Sequence, residues 1–402
     1  MARKRGEFEG PTRREFLTSG GAVVGGSLLA GCTSGEGGGS AAGPESSEDD
    51  AYSVSMAPVG EVEFAEVPEE VMVYSLLHAD MTVAYGYGDA VNSLGFDAET
   101  GGNTLDAYYA ALDGVSFDRE GLAQLNTGSG QLDVDKELFY ELDSDLHLID
   151  PCLVLSFDGW ESADVEEIEG NVGPWFANAF SRDHADPPEG CREDYEYYRL
   201  WEQAERVARV FRAEERYKAL ETVYADLLET IESNLPPAGE RPTVATVIFM
   251  DGTFYPTRSD TPGFANAHVR PLGAPDAFAG EGITAETSYG YETMLEFDPD
   301  VILHEFGIAS YYDVESIEAT MADHPVGSQL TAVENGMIYP SGDPVQGPIM
   351  NLFQLEMTAK QLYPEVFGEW PAYTAGESYP EIPTDERLFD RERVADIING
   401  EI

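Results

Sequence analysis

The chain has 402 residues, with 22 basic side chains against 76 acidic ones and a net charge of −54. Nucleic acid and anionic membrane surfaces would repel so acidic a molecule, which excludes both as partners of its surface. The length suits two domains of ordinary size, and 42% apolar residues can build real cores.

The acids are interleaved with periodic apolar residues instead of forming one block, so the pattern is a folded body with an acidic surface and not a disordered tail. Lysine occurs only at Lys4, Lys136, Lys218 and Lys360. Such a surface suits organisms that live in near-saturating salt, where screening over about 3 Å or less makes self-repulsion tolerable.

At the N-terminus, Thr12-Arg13-Arg14-Glu15-Phe16-Leu17 precedes a weakly apolar Gly/Ala stretch, too short to span a bilayer as a mature helix. Paired arginines before Phe-Leu resemble a twin-arginine export signal, and Leu29-Ala30-Gly31-Cys32 resembles a lipobox with Cys32 as the lipidated residue. Residues 1–31 are therefore expected to be a signal peptide. Residues 32–57 are expected to be a disordered acidic Gly/Ser tether, since they cannot bury apolar surface.

An N-terminal α/β lobe is expected over 58–192. Val71–Ser75 is a short strand and Ala79–Leu94 a helix before Gly95. Ser75 and His78 follow the strand, at the carboxyl edge where open α/β sheets bind ligands. The Gly-rich Asn126–Gln131 loop lacks the lysine of a phosphate-binding loop. Residues 151–192 are long, irregular and aromatic. Trp160 and Trp175 line either a cleft or a satellite core under that loop, and Arg182 offers a charge. Cys152 and Cys191 would form a bridge in an oxidising compartment; the alternative is two free buried thiols.

Residues 193–236 read as a helical segment that joins the lobes. Apolar residues recur at three-and-four spacing from Tyr197 to Ile231, and Pro236-Pro237 ends the run. Unbroken, it would be roughly 60 Å long, so a break is expected near Arg212-Ala213-Glu214.

A C-terminal α/β lobe is expected over 237–402. Thr243–Met250 is a strand, and the following Asp251–Ser259 loop would carry Tyr255 and Arg258 to the cleft. The Asp300–Glu305 strand would deliver Glu305, Phe306 and Tyr311 to the same edge. Glu137–Ile149 and Glu292–His304 align without gaps and share Glu, Glu, Asp, Asp and Leu at five positions. Each reads as a short helix, a turn at Asp-x-Asp and a buried strand, one in each lobe. The fold class is thus α/β: two three-layer lobes joined by a long backbone helix, with a ligand cleft between them.

This order of parts, from about Val62 to Phe367, resembles the solute-binding proteins of ABC importers for ferric siderophores, cobalamin and haem. The resemblance rests on Glu292–Leu303, Leu330–Tyr339 and Leu355–Pro364, in that order and behind a lipoprotein signal of haloarchaeal type. It implies capture of a metal chelate, most simply a ferric siderophore, without catalysis and without a cofactor or metal ligands of the protein's own. Cobalamin or haem is the alternative ligand. The implied partners are an ABC permease and its ATPase, with membrane contact through the lipid only, no nucleic acid, and a monomer at the outer face of the membrane. In that family one glutamate on each lobe meets permease arginines; the matching residues are Glu137 and Glu292. The chain departs from the family at Ser144, where proline is usual, and in its long 151–192 insertion.

An exported hydrolase is the reading from another class. No Gly-x-Ser-x-Gly elbow or His-Glu-x-x-His motif supports it, and His304-Glu305 and Asp323-His324 are isolated pairs.

Overall fold

The computed structural model describes residues 51–95, 103–126 and 133–402. The twin-arginine segment, Cys32, most of the expected tether and the Gly-rich loop from Thr127 onward lie outside the described residues.

A hairpin opens the described chain: β1 (Tyr52–Met56) pairs antiparallel with β2 (Gly60–Phe64). The expected tether therefore ends too late. Val54 and Met56 alternate inward along β1, so this short segment has an apolar face to bury after all.

The first lobe continues with β3 (Val71–Val73), α1 (Leu76–Ala84), β4 (Ser93–Leu94), α2 (Thr104–Tyr109), β5 (Ala123–Gln124), α3 (Lys136–Leu142) and β6 (Leu146–Leu148). α1 stops earlier than its apolar pattern suggests. Tyr85 caps it and Gly86, at φ +80°, turns the chain, which leaves Ser93 and Leu94 to pair as a strand. β3 lies parallel to β6, β4 to β5, and a Val71–Val91 bridge links the pairs. The aromatic insertion holds α4 (Pro151–Val154) and α5 (Ser162–Asn171), and a Cys152–Cys191 disulfide closes it.

The joining segment is two helices, α6 (Leu200–Val210) and α7 (Glu214–Asn234), separated where Arg212 takes the left-handed conformation. Residues 194–199 are not helical. Tyr195 instead bonds to Asp150, and Tyr197 and the Tyr198 amide bond to Ala185 and Ser181 of the insertion. The helices also fold back on one another, Trp201 stacking on Tyr224 with ring centroids 4.5 Å apart. α6 therefore packs with the first lobe, and α7 alone makes the span. Its 21 residues give a length of roughly 32 Å.

The second lobe contains β7 (Val244–Met250), β8 (Thr253–Thr257), α8 (Tyr291–Phe297), β9 (Val301–His304), α9 (Val314–Asp323), α10 (Thr331–Glu334) and β10 (Ile338–Pro340). Its sheet has the order β10-β9-β7-β8, parallel except for β8. The chain closes with α11 (Pro348–Leu362), α12 (Pro364–Phe367) and α13 (Arg391–Asn399).

The two repeated blocks have the same local structure. α3 ends at Asp143 and α8 at Asp298, both left-handed, at φ 46° and 42°. Two residues further on, Asp145 accepts from the amides of Glu69 and Glu70, and Asp300 from the amide and hydroxyl of Thr243. In each lobe, then, one aspartate ends the helix and the other ties the block to the entrance of the preceding strand.

Each sheet is packed on both faces. Met72 and Tyr74 face an outer core with Phe139, Trp160 and Trp175, whereas Val71 and Val73 face inward. In the second lobe Ala245, Val247 and Ile302 face an outer core, and Val244, Val301 and Leu303 face inward. The inward residues of both sheets belong to one continuous core with α1, α6, α7 and α11. All residues of α11 are buried. Several of its polar side chains are matched: Glu356 pairs with Arg391 at 2.7 Å, Asn351 accepts from Trp201, and Lys360 donates to the Phe367 carbonyl. At its N-terminus the amides of Ile349 and Met350 donate to Asp80 of α1, which also accepts from Tyr109.

Burial raises the Asp80 carboxyl to about 7, against the opposing pull of its hydrogen bonds. The folded state thus keeps a proton that the unfolded state has released, so this group's contribution to stability falls as pH rises from 3.8 to about 7 and is level above. Asp80→Asn removes that dependence. Wild type should gain on the variant with acidification across the window, by up to about 1.4 kcal/mol per pH unit, read from urea midpoints at a series of pH values. Parallel pH profiles would contradict a buried carboxylate at this helix end.

Candidate functional site

The carboxyl ends of the parallel strands bring a small set of side chains to the junction of the lobes. Glu305 and Phe306 follow β9, and Ser341, Gly342 and Asp343 follow β10. The two strand ends are tied together by the Phe306 amide on the Gly342 carbonyl and the Gly307 amide on the Ser341 carbonyl. Residue 307 must be glycine, since a Cβ there would lie 2.5 Å from Pro340 Cα. Phe306 is held left-handed at φ 57°, a conformation that bulky side chains avoid and that recurs where a structure clamps a ligand. Its ring meets Tyr311 edge-on at 5.9 Å.

The first lobe contributes Arg182, Thr104 and Tyr108. Arg182 sits where the lobes touch: its carbonyl lies against Gly263, leaving no room for a side chain there. Its guanidinium donates to Asp183 at 2.8 Å, and its pKa is raised by that neighbour first and by Glu305 and Asp343 as well. Asp343 is 4% exposed and Glu305 5%. Burial raises the Asp343 carboxyl to about 6, against a hydrogen bond from the Val345 amide and the field of Arg182. Tyr311 approaches Thr104, and burial together with Asp343 pushes its hydroxyl upward. Tyr108 and Gln354 are fully buried beneath this cluster. The Tyr108 hydroxyl and the Gln354 side-chain amide lie within hydrogen-bonding reach of each other there.

Of the residues expected from the sequence, Arg182, Glu305, Phe306 and Tyr311 come together here. Ser75 caps the start of α1, its hydroxyl 2.9 Å from His78 Nδ1. His78 is buried, and desolvation lowers it to about 4, so it is neutral at ordinary pH. Trp160 and Trp175 are not cleft residues. Both belong to the outer core of the first lobe, with their indole N–H groups on the carbonyls of Val134 and Val165. Trp175, 1% exposed, offers no surface to a ligand.

Tyr255 and Arg258 are displaced for a topological reason. The expected 251–259 loop is a tight turn followed by β8, which runs back along β7 with Tyr255 opposite Ile248. Arg258, just beyond β8, is held by Asp260 and the Glu281 carbonyl within the second lobe. Asp343, Tyr108 and Gln354 were missed by sequence reading. Asp343 was within reach of the strand-end rule, had that rule been carried past Pro340 as it was past His304.

The isolated His-acid pairs form no acid–base arrangement. His304 is fully buried on the backbone of Phe249, and His324 stacks on Tyr291 with centroids 3.8 Å apart. Among the described residues no three His, Cys, Asp or Glu side chains are grouped to hold a metal ion, and no helix is long and apolar enough to cross a membrane.

No protein-family model matches the chain, and no curated protein matches it by sequence. Solved structures share its fold. A periplasmic binding protein from Veillonella parvula superposes with a TM-score of 0.55 at 15% identity, covering 79% of this chain and 92% of that one. A periplasmic solute-binding protein from Mycobacterium smegmatis gives 0.54 at 14% identity, covering 79% and 99%. The iron uptake ABC transporter substrate-binding protein PiuA from Streptococcus pneumoniae gives 0.52 at 16% identity, covering 76% and 96%. At such identities the likeness is one of fold: this chain has the two-lobed α/β architecture of those binding proteins.

The placement of Trp175 has a direct consequence. Trp175→Ala should cost about 3–5 kcal/mol of stability by opening a cavity in the outer core, measured by chemical denaturation. A variant as stable as wild type would put the ring back at a surface.

Proposed function

We propose that this protein is the extracytoplasmic solute-binding component of an ABC importer, which captures a metal chelate at the lobe junction and passes it to a membrane permease. One observation carries the reading. Two lobes of the same local design meet at a junction where charged and aromatic side chains converge from both sides: Arg182 from one, Glu305, Phe306, Tyr311 and Asp343 from the other. The structures that share the fold bear the names of binding proteins, one of them of an iron uptake transporter. A chelate brings its own metal ligands, so the protein has only to recognise its outer surface. The continuous inner core supports capture with little relative movement of the lobes.

Permease docking belongs to the same proposal. Glu137 and Glu292 are exposed and stand at the second position of α3 and α8, equivalent places on the two lobes. The helix dipole favours a carboxylate in each first helical turn. Twin-arginine export, lipidation of Cys32, a monomeric state and life in high salt complete the reading, and rest on the sequence.

Titration calorimetry of the folded chain in molar salt against ferric siderophores, cobalamin and haem tests the capture step. Binding of one class is expected; binding of none, with hydrolytic turnover of an ester or peptide, would replace capture by catalysis. Glu137→Arg with Glu292→Arg should abolish uptake into cells or permease vesicles and leave ligand affinity within about twofold of wild type. Uptake at the wild-type rate would remove the docking role.

A further inference from the structure

Resting on the import reading, we infer that a hollow on the second lobe, beside Glu292, takes a basic side chain of the permease. The hollow is shallow and open, about 560 Å³, and is bounded by Gly252, Tyr291, Thr320, Asp323, His324 and Pro325. Tyr291 opens α8 and is wedged in place. Its ring stacks on His324 with centroids 3.8 Å apart and meets Phe254 edge-on at 5.3 Å. A Cβ on Gly327 would lie 2.6 Å from that ring. His324 is fixed in turn through Nδ1, which accepts from the amides of Val326 and Gly327. Tyr291 is 7% exposed, burial raises its hydroxyl, and that hydroxyl makes no hydrogen bond among the described residues. A polar tip on so buried a ring, at the wall of an open hollow, takes its partner from outside the chain.

Two observations give the occupant its charge. The charged side chains on the segments round the hollow are all acidic: Asp251 beside Gly252, Glu292 and Glu296 on α8, and Glu315, Glu318 and Asp323 on α9. No lysine or arginine occurs between Arg270 and Lys360. The repeated blocks supply the second observation. Their alignment places Lys136 of the first lobe where the second has Tyr291. Lys136 lies over the Trp160 ring, 5.2 Å from its centroid, and donates to Asp164 and to the Gly159 carbonyl. The first lobe thus completes an aromatic ring and a carboxylate with its own cation. The second lobe has the ring and the carboxylate, in Tyr291 and Asp323, and brings no cation to them. A guanidinium or ammonium entering the hollow would find both as acceptors, with Glu292 next to them. Molar salt screens exposed charges over about 3 Å, so a contact that adds a buried phenol and aromatic packing keeps strength that charge alone would lose.

The test reads docking directly, by co-sedimentation of the folded, unlipidated chain with vesicles that carry the permease, in molar KCl and against vesicles without it. Half-saturation should need about tenfold more Asp323→Lys than wild type, because a like charge then faces the incoming cation. It should need about threefold more Tyr291→Phe, which keeps the ring and drops one hydrogen bond. Asp323 is exposed, so its replacement leaves the core untouched. Glu229→Lys, the same charge change on the exposed side of α7, should dock as wild type does. Chelate affinity by calorimetry should stay within about twofold of wild type in all three. Asp323→Lys that docks as tightly as wild type, or weakens no more than Glu229→Lys, overturns this inference and leaves capture standing. So does a wild-type chain that binds a chelate and does not sediment with the permease. Failure of every ferric siderophore, cobalamin and haem to bind overturns capture and this inference with it.

Discussion

Asp80 and the first turn of α11 hold this architecture together. The carboxylate comes from a helix of the first lobe, and the amides it accepts from open a helix that follows the last strand of the second. Gly347 leaves it room, since a side chain there would lie 2.3 Å from Asp80 Oδ2. An acid at a helix N-terminus compensates both unmatched amides and the positive end of the helix dipole, and a dry site makes that compensation strong. With this contact in place α11 can lie wholly inside the molecule, and the inner faces of the two sheets share one core instead of having one each.

Around that shared layer the lobes are built twice from one pattern. Asp143 and Asp298 both accept the left-handed conformation that ends a short helix, and Asp145 and Asp300 both bind the start of the neighbouring strand. The functional asymmetry comes from what was added to the pattern. The disulfide-closed insertion of the first lobe carries Arg182 to the junction, while the second lobe presents carboxylates from two adjacent strand ends. The junction is therefore an electrostatic meeting of unlike halves on a symmetric scaffold.

A net charge of −54 makes buried acids the exceptional members of this protein's carboxylates. Surface acids interact weakly through water and salt. Asp80, Asp150 and Asp343 are different: burial raises all three, and each is retained by hydrogen bonds that a neutral apolar residue could not make. Asp80 and Asp150 meet backbone amides and a tyrosine, which is a structural use. Asp343 accepts from the Val345 amide and lies within the field of Arg182 of the other lobe.

Much of this was legible in the chain. The acidic surface, the α/β class, the duplicated helix–turn–strand block and the break at Arg212 all follow from periodicity and from residues whose local conformational preferences act within a few positions. The delivery of Glu305, Phe306 and Tyr311 to one edge followed from the rule that strand ends bind. What the tertiary structure alone decided were the features that depend on which distant segment a residue meets. β8 turned a supposed loop into a strand and took Tyr255 and Arg258 from the junction; Trp160 and Trp175 went to a core; α6 folded back on α7; the C-terminal helices crossed to the first lobe, with Asn399 bonding to the Asp113 carbonyl. Local preference sets what a segment can become, and burial against partners hundreds of positions away sets which of its faces is left for function.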